Sequence, residues 1–480
     1  MVSVSNHHQD HDEQRRKRQK IEDLSELSSS SEEKENINDH GSNVNSIEDL
    51  YLETINRFKL DFDFEKICSI SLSNVNVYSC LCCGKYFQGR HDSSHAFFHS
   101  INDNHHVFIN LKTLKFYILP ENYEVKDTSQ LEDIKYQIEP YYDGGKIKQL
   151  YSSKELASDL NHNKYRPGFI GINNINCNDY SNVIIQALSH ANKLRDYLLL
   201  FKDQDSDDEL IRQFSLTVKK IWSSKLFKSH ISPHELLQFI SKKSNGIFTL
   251  AKQKDPKDFL IWLLNNLNQS FFKNKNSKII SKLFQGKVQI ESNENEKIDS
   301  KISKFWLISL DLPHSSLFKD GAGLTEVPQV SLLTLLNNKF NNEFFQGKRF
   351  KILQLPQYLI LSINRFDNLD SKITGISGSN RNPTVVKFPL MLDMSKYISN
   401  NLQDPILPIN YKLIGNVIYE LIPSSNTTDE EKNNDKNSWK IQLLDQVRNS
   451  WLEIHNLKIR EIEKELLFLN ESYILIWEKM

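Results

Sequence analysis

Four of the chain's five cysteines, Cys68, Cys80, Cys82 and Cys83, fall within sixteen positions, and the fifth, Cys177, stands alone. Thiolates and imidazoles at short spacing are zinc chemistry, because the ion takes four nitrogen or sulfur ligands in a tetrahedron. Cys80-x-x-Cys83 is a tight turn that aims two thiolates at one point, and His95, His99, His105 and His106 follow. An isolated cysteine or histidine is usually plain core, but two cysteines and four histidines within 27 residues ask for a metal. Cys80, Cys83, His99 and His105 make the best set of four. Residue type alone leaves the choice among the histidines open, and the two left over could serve as hydrogen-bonding neighbours of the ligands. Cys68 and Cys82 are expected as packing residues, with Cys82 turned away from the point that Cys80 and Cys83 face. An odd, clustered cysteine count reads as metal binding in a reducing compartment and not as a disulfide framework.

The elements that must hold such a site begin near Ile47. Residues 1–48 are polar, rich in Ser, Glu, Asn and His, and cannot bury enough apolar surface to order themselves. This tail carries Arg15-Arg16-Lys17-Arg18 and Lys20, a run of the nuclear-import or nucleic-acid-contact kind. A first compact unit is expected over 50–155, a charged linker at 145–165, and a second unit over 165–480. In the second unit Val183, Ile184, Ala187, Leu188, Ala191 and Leu194 recur at helical spacing, as do Phe259, Trp262, Leu263 and Leu267. Strand patterns follow at 358–363, 385–388, 411–414 and 473–477. Helices first and strands afterwards predict an α+β domain. The polar stretches 291–300 and 423–438 read as disordered surface loops. With 27 Phe and 17 Tyr the chain can fill a large core, and 60 basic against 61 acidic side chains argue against wholesale coating of nucleic acid. No stretch approaches the ~20 apolar residues of a membrane span, and the N-terminus lacks the apolar segment of a signal peptide, so an intracellular protein is expected.

The run from Cys68 through Cys80-Leu-Cys-Cys-Gly-Lys-Tyr-Phe-Gln-Gly-Arg90 to His106 and Tyr117 resembles the zinc finger of ubiquitin-specific proteases. It is most similar to the version in the spliceosomal tri-snRNP-associated, inactive ubiquitin-specific-protease-like family. The resemblance implies a small α/β zinc-finger domain with one structural zinc on Cys80, Cys83, His99 and His105. Related fingers grip the free carboxylate tail of ubiquitin with an arginine and aromatic side chains. Arg90 is the residue that matches, but much of the surrounding pattern is missing, so ubiquitin is not the expected ligand.

Residues 171–189 resemble the cysteine box of the same proteases, with Gly171, Asn174, Tyr180, Asn182 and Gln186 in register. The nucleophile position is Asp179. A thiol at a helix N-terminus is activated by the helix dipole, whereas a carboxylate there is a good helix cap and a poor nucleophile. Cys177 lies two residues upstream, and moving it into place would break the register of Asn174, Tyr180 and Asn182. The catalytic histidine position falls on Ser438 and the orienting position on Asn456. His455 beside it should face the other side of an extended segment. A thiol protease needs base and orienting group together with its nucleophile, so no catalytic residue is expected. Lys254–Leu260, Pro356–Phe366 and Asn382–Pro389 resemble further blocks of the family, and 270–350 holds no cysteine for the second zinc that many members carry.

The resemblance covers about 50–480 and implies a papain-like ubiquitin-specific-protease fold of the α+β class. It implies a nuclear, non-catalytic splicing factor, a scaffold for the tri-snRNP whose partners are proteins of that particle, with direct RNA contact left open and no membrane. The alternatives are a thiol-dependent deubiquitinase using Cys177 and a ubiquitin-binding adaptor without catalysis.

Overall fold

The computed structural model describes residues 47–202, 208–275, 277–294, 297–313, 328–341, 344, 348–366, 381–398, 408–422 and 436–480. The tail with its basic run, most of the 423–438 stretch and His314 lie outside them. The chain forms two compact units that divide between Glu139 and Pro140. The expected linker at 145–165 belongs to the second: its helix Gly144–Leu150 places Ile147 in that unit's core.

The first unit is a five-stranded antiparallel sheet. In chain order the strands are β1 (Val77–Cys80), β2 (Tyr86–Gln88), β3 (Val107–Asn110), β4 (Phe116–Ile118) and β5 (Tyr123–Glu124), arranged β2-β1-β3-β4-β5. Strands β1, β3 and β4 are buried throughout. One helix, α1 (His95–Asn102), crosses between β2 and β3 and is capped by Ser94, whose hydroxyl accepts from the Phe97 amide.

In the second unit the helices precede most of the sheet. Besides Gly144–Leu150 and the short Ile279–Phe284, they are α2 (Asp179–Ser189), α3 (Asn192–Leu199), α4 (Glu209–Ile221), α5 (His234–Lys243), α6 (Pro256–Lys275) and, between strands, α7 (Leu332–Phe340). The helical spacing read across 183–194 is two helices, broken at His190–Ala191. All eleven residues of α2 are buried, as befits a helix wrapped on every side.

The strands are β6 (Gly286–Glu294), β7 (Lys297–Phe305), β8 (Ile308–Asp311), β9 (Lys348–Gln354), β10 (Tyr358–Asn364), β11 (Met391–Asp393), β12 (Asn410–Ile422), β13 (Lys436–Asp445), β14 (Ser450–His455), β15 (Lys458–Ile462) and β16 (Glu471–Lys479). The large sheet runs β8-β10-β16-β12-β13-β14-β15, with β11 alongside β12. Successive side chains on a strand point to opposite faces. Tyr358 and Ile360, Ile474 and Ile476, Trp439 and Ile441 therefore face α2 and its neighbours in one core. Leu359 and Leu361, Leu475 and Trp477 join Leu332, Leu335 and Leu336 of α7 in a second. Both faces are covered, so these strands read as unbroken apolar runs. The α+β fold expected from the sequence is the one formed.

The stretch 291–300 is not a loop among its described residues. It belongs to the hairpin β6–β7, paired from Gly286↔Phe305 to Glu294↔Lys297, with β9 on the other side of β6. Ladder hydrogen bonds come from the backbone, so a ribbon with exposed side chains forms without an apolar signature. Residues 436–438 likewise start β13.

Candidate functional site

The sequence singled out two constellations, the zinc set and the box around Asp179 where no catalysis was expected, and each unit holds one. In the first unit, β1 runs straight into the Cys80–Cys83 turn. Gly84 N donates to Cys80 O at 2.8 Å and Cys80 N to Lys85 O at 2.9 Å, which closes the knuckle. Gly84 has φ +77, and a Cβ there would stand 2.2 Å from Lys59 O, so only glycine fits. Helix α1 brings His99 over the knuckle, and the turn before β3 brings His105.

One donor atom from each of Cys80, Cys83, His99 and His105 lies within 4.8 Å of the others. Cys83 Sγ is 3.4 Å from His99 Nε2, and His105 Nδ1 is 3.0 Å from the same nitrogen. A tetrahedral zinc with ordinary bond lengths separates its ligands by roughly 3.3–3.8 Å, so this donor set fits the ion. The Cys80 thiol, with His105 and His99 beyond it, holds Cys83 well below the usual thiol range, and burial pushes Cys80 up. Of the two thiols, Cys83 is the one disposed to lose its proton first.

The sequence missed two supports of His99. Its Nδ1 meets Asp103 Oδ2 at 2.5 Å, one helical turn on, which presents Nε2 to the cluster. Its ring stacks on Phe87 with centroids 4.1 Å apart. Neither His95 nor His106 joins the four; His106 bonds Leu119 O at 2.6 Å and Asn104. Cys82 packs in the core of this unit, as expected, and is not one of the four. Its thiol lies 3.3 Å from Thr54 Oγ1, and the Cys80 thiol, foremost, lowers its pKa to about 6. Cys68 is buried and accepts from the Ile70 and Ser71 amides. Arg90 lies over the Tyr117 ring, 4.4 Å from its centroid, and donates to Asn122.

In the second unit, the box around α2 is set by side-chain amides. Asn178 N donates to Asn174 Oδ1 at 3.0 Å, Asn182 Nδ2 to Asn173 O at 3.2 Å, and Gln186 Nε2 to Ile170 O at 2.7 Å. Gly171 passes so close to the Asn456–Leu457 turn that a Cβ would stand 2.7 Å from Leu457 Cα. This packing brings Asp179 against the β13 edge.

Asp179 is buried and is the first helical residue; the cap position is Asn178, whose side chain makes no capping bond. The expected carboxylate cap is therefore replaced by a cross-link. Oδ2 accepts from Trp439 N at 3.0 Å, Oδ1 from Tyr180 N at 2.9 Å, and both from Gln253 Nε2 at 3.0 Å. Burial raises the Asp179 pKa against the pull of these donors. A small cavity beside it has room for about one water molecule and is lined by Asn182, Gln186, Trp439, Ile454 and Asn456 among others.

Asn456 thus comes to the Asp179 side, as the first residue of a tight turn with φ 54, not of an extended segment. Ser438 does not. Trp439 points into the helix-side core, so its neighbour Ser438 points to the opposite sheet face. There Ser438 Oγ meets His455 Nε2 at 2.7 Å. Burial, then the nearby Lys440, lowers the His455 pKa. Cys177 is half-buried; its amide donates to Leu250 O at 3.0 Å and its thiol lies 3.7 Å from Asn176 Oδ1. Among the described residues no imidazole is within hydrogen-bonding reach of it.

Comparison with known proteins places both units. Residues 170–477 match the family described as ubiquitin carboxyl-terminal hydrolase, and residues 68–130 match the Zn-finger in ubiquitin-hydrolases and other protein. The probable mRNA-splicing protein ubp10 of Schizosaccharomyces pombe is 38% identical over 460 residues, 90% of this chain and 88% of its own length. The pre-mRNA-splicing factor SAD1 of Saccharomyces cerevisiae is 39% identical over 443 residues, 89% of this chain and 93% of its own length. The crystal structure of an essential yeast splicing factor superposes with a TM-score of 0.76 at 38% identity, covering 90% of this chain and 99% of that one. With the matched finger and the fitting donor set, the chain's cofactor is a zinc ion. The chain belongs to the ubiquitin carboxyl-terminal hydrolase family and carries that family's Zn-finger ahead of the hydrolase-like domain.

Proposed function

We propose that this chain is a pre-mRNA splicing factor that works as a non-catalytic scaffold in the nucleus and supports assembly or stability of the tri-snRNP through protein contacts. The splicing role rests on relatives that match nearly the whole chain at 38–39% identity and carry splicing names. Cys80, Cys83, His99 and His105 hold the finger's single zinc, and its task is structural, since all four ligands come from the chain and leave no open position.

The observation that carries the loss of catalysis is the Asp179 clasp. Where the family resemblance puts a nucleophile, a carboxylate is bonded to Trp439 N, Tyr180 N and Gln253. It offers no sulfur, and it would repel an oxyanion forming nearby. Among the described residues the one imidazole near the expected base position, that of His455, lies on the far face of the sheet, bonded to Ser438. A protease site works through nucleophile, base and orienting group as a unit, and here the unit is taken apart into structural bonds.

The test is recovery from nuclear extract of the tagged full chain and of its Cys83→Ser variant, reading proteins and small nuclear RNAs together. Enrichment of tri-snRNP proteins with the U4, U5 and U6 RNAs is expected for the wild type. Recovery of no splicing component would reject the assignment and leave the fold untouched.

A further inference from the structure

The ribbon β7-β6-β9 has two unlike faces. Residues opposite each other in an antiparallel ladder share a face, so the register sorts them. One face carries Val288, Ile290, Phe350 and Ile352. Ile352 is fully buried in the second core, and the Lys339 ammonium of α7 lies 5.2 Å from the Phe350 ring centroid, so this face is covered. The other face carries Lys287 opposite Lys304, Lys351 opposite Gln289, and Arg349 opposite Glu291.

Four cations and one carboxylate share that open face. Glu291 is already engaged: Lys351 Nζ donates to Oε1 at 2.8 Å and Arg349 Nε to Oε2 at 2.6 Å. Lys287 and Lys304 are exposed, and among the described residues neither ammonium meets a carboxylate. Like charges placed directly opposite in a ladder are destabilising, so the fold gains nothing from the pair. The chain as a whole is near neutral, with 60 basic and 61 acidic side chains, so the excess is local.

We infer that this face binds the sugar–phosphate backbone of RNA, with Lys287 and Lys304 as its principal phosphate contacts. Two adjacent strands set cations ~4.8 Å apart across the ladder and ~6.8 Å apart along it. A nucleic-acid strand presents a continuous row of charges of one sign, whereas a folded acidic surface mixes both signs. No base-reading group stands out on the face, so binding is sequence-tolerant. The inference rests on the ribbon's own geometry and stands or falls apart from the splicing assignment.

The test measures the full chain against fluorescein-labelled single-stranded oligouridylate by anisotropy. Affinity should fall at least about tenfold between about 50 and 200 mM salt. The K287E/K304E double variant should bind at least about tenfold more weakly at the lower salt. K458E/K464E changes the charge equally on exposed residues elsewhere and should bind within about twofold of wild type. The N-terminal basic run is present in all three, so the difference reads the ribbon. K304E alone turns a repulsive cross-strand pair into an attractive one, so it should raise Tm while weakening RNA binding. Equal affinity for the two double variants would overturn the proposal. So would displacement of the RNA by polyglutamate at equal charge concentration, which would assign the face to acidic proteins.

Discussion

Asp179 does two opposite things to this domain. Its carboxylate ties the start of α2 to the β13 backbone through Trp439 N, and burial makes its charge costly. Asp179→Ala would leave the Trp439 amide and Gln253 without their acceptor in a largely closed site. A loss of about 1–2 kcal/mol is expected, read as a lower urea midpoint with an unchanged slope. At the finger, Cys83→Ser should drop bound zinc from about one per chain to a small fraction of that, measured by elemental analysis after dialysis. These residues were legible in the sequence because their types are rare and their spacing short. Cys80, Cys83, His99 and His105 span 26 positions, and all four meet. Asp103 and Gln253 were not legible, since acidic and amide side chains are common and their roles depend on which atom a neighbour presents.

At the scale of elements, the join between α6 and β16 is a pH-sensitive contact. Asp255 sits just before α6, accepts from Lys257 N at 2.7 Å, and receives the Tyr473 hydroxyl of β16 at 2.6 Å. Burial, foremost, raises its pKa from 3.8 to about 6. The folded state therefore holds this proton more tightly than the unfolded chain. Its contribution is fully present below pH 3.8 and is lost as pH rises through about 6. Asp255→Asn keeps a neutral group there. Relative to wild type the variant should gain about 2.4 kcal/mol of stability between pH 4 and pH 7, read by urea denaturation at both values. A constant difference at the two pH values would contradict this. The apolar strands were legible because burial on two faces leaves unbroken runs such as 358–363 and 473–477. The ribbon's stretch 291–300 was not, because its run of polar residues carries no apolar alternation, while Glu291, Arg349 and Lys351 hold the open face by charge.

For the whole molecule, the sequence carried the fold class and the order of units, and contact geometry moved their boundary to Glu139–Pro140. What ties the levels together is a domain with the architecture of a ubiquitin hydrolase in which Asp179 makes internal bonds to Trp439, Tyr180 and Gln253. No helix among the described residues is long and apolar enough to cross a membrane, and the cavity that the described residues form beside Asp179 has room for about one water molecule. The most direct measurement is incubation of purified full chain with ubiquitin bearing a C-terminal electrophile, followed by mass spectrometry, with Cys177→Ala in parallel. The account predicts no covalent adduct on either protein. A ubiquitin adduct on the wild type that disappears in Cys177→Ala would contradict it and make this chain a thiol hydrolase.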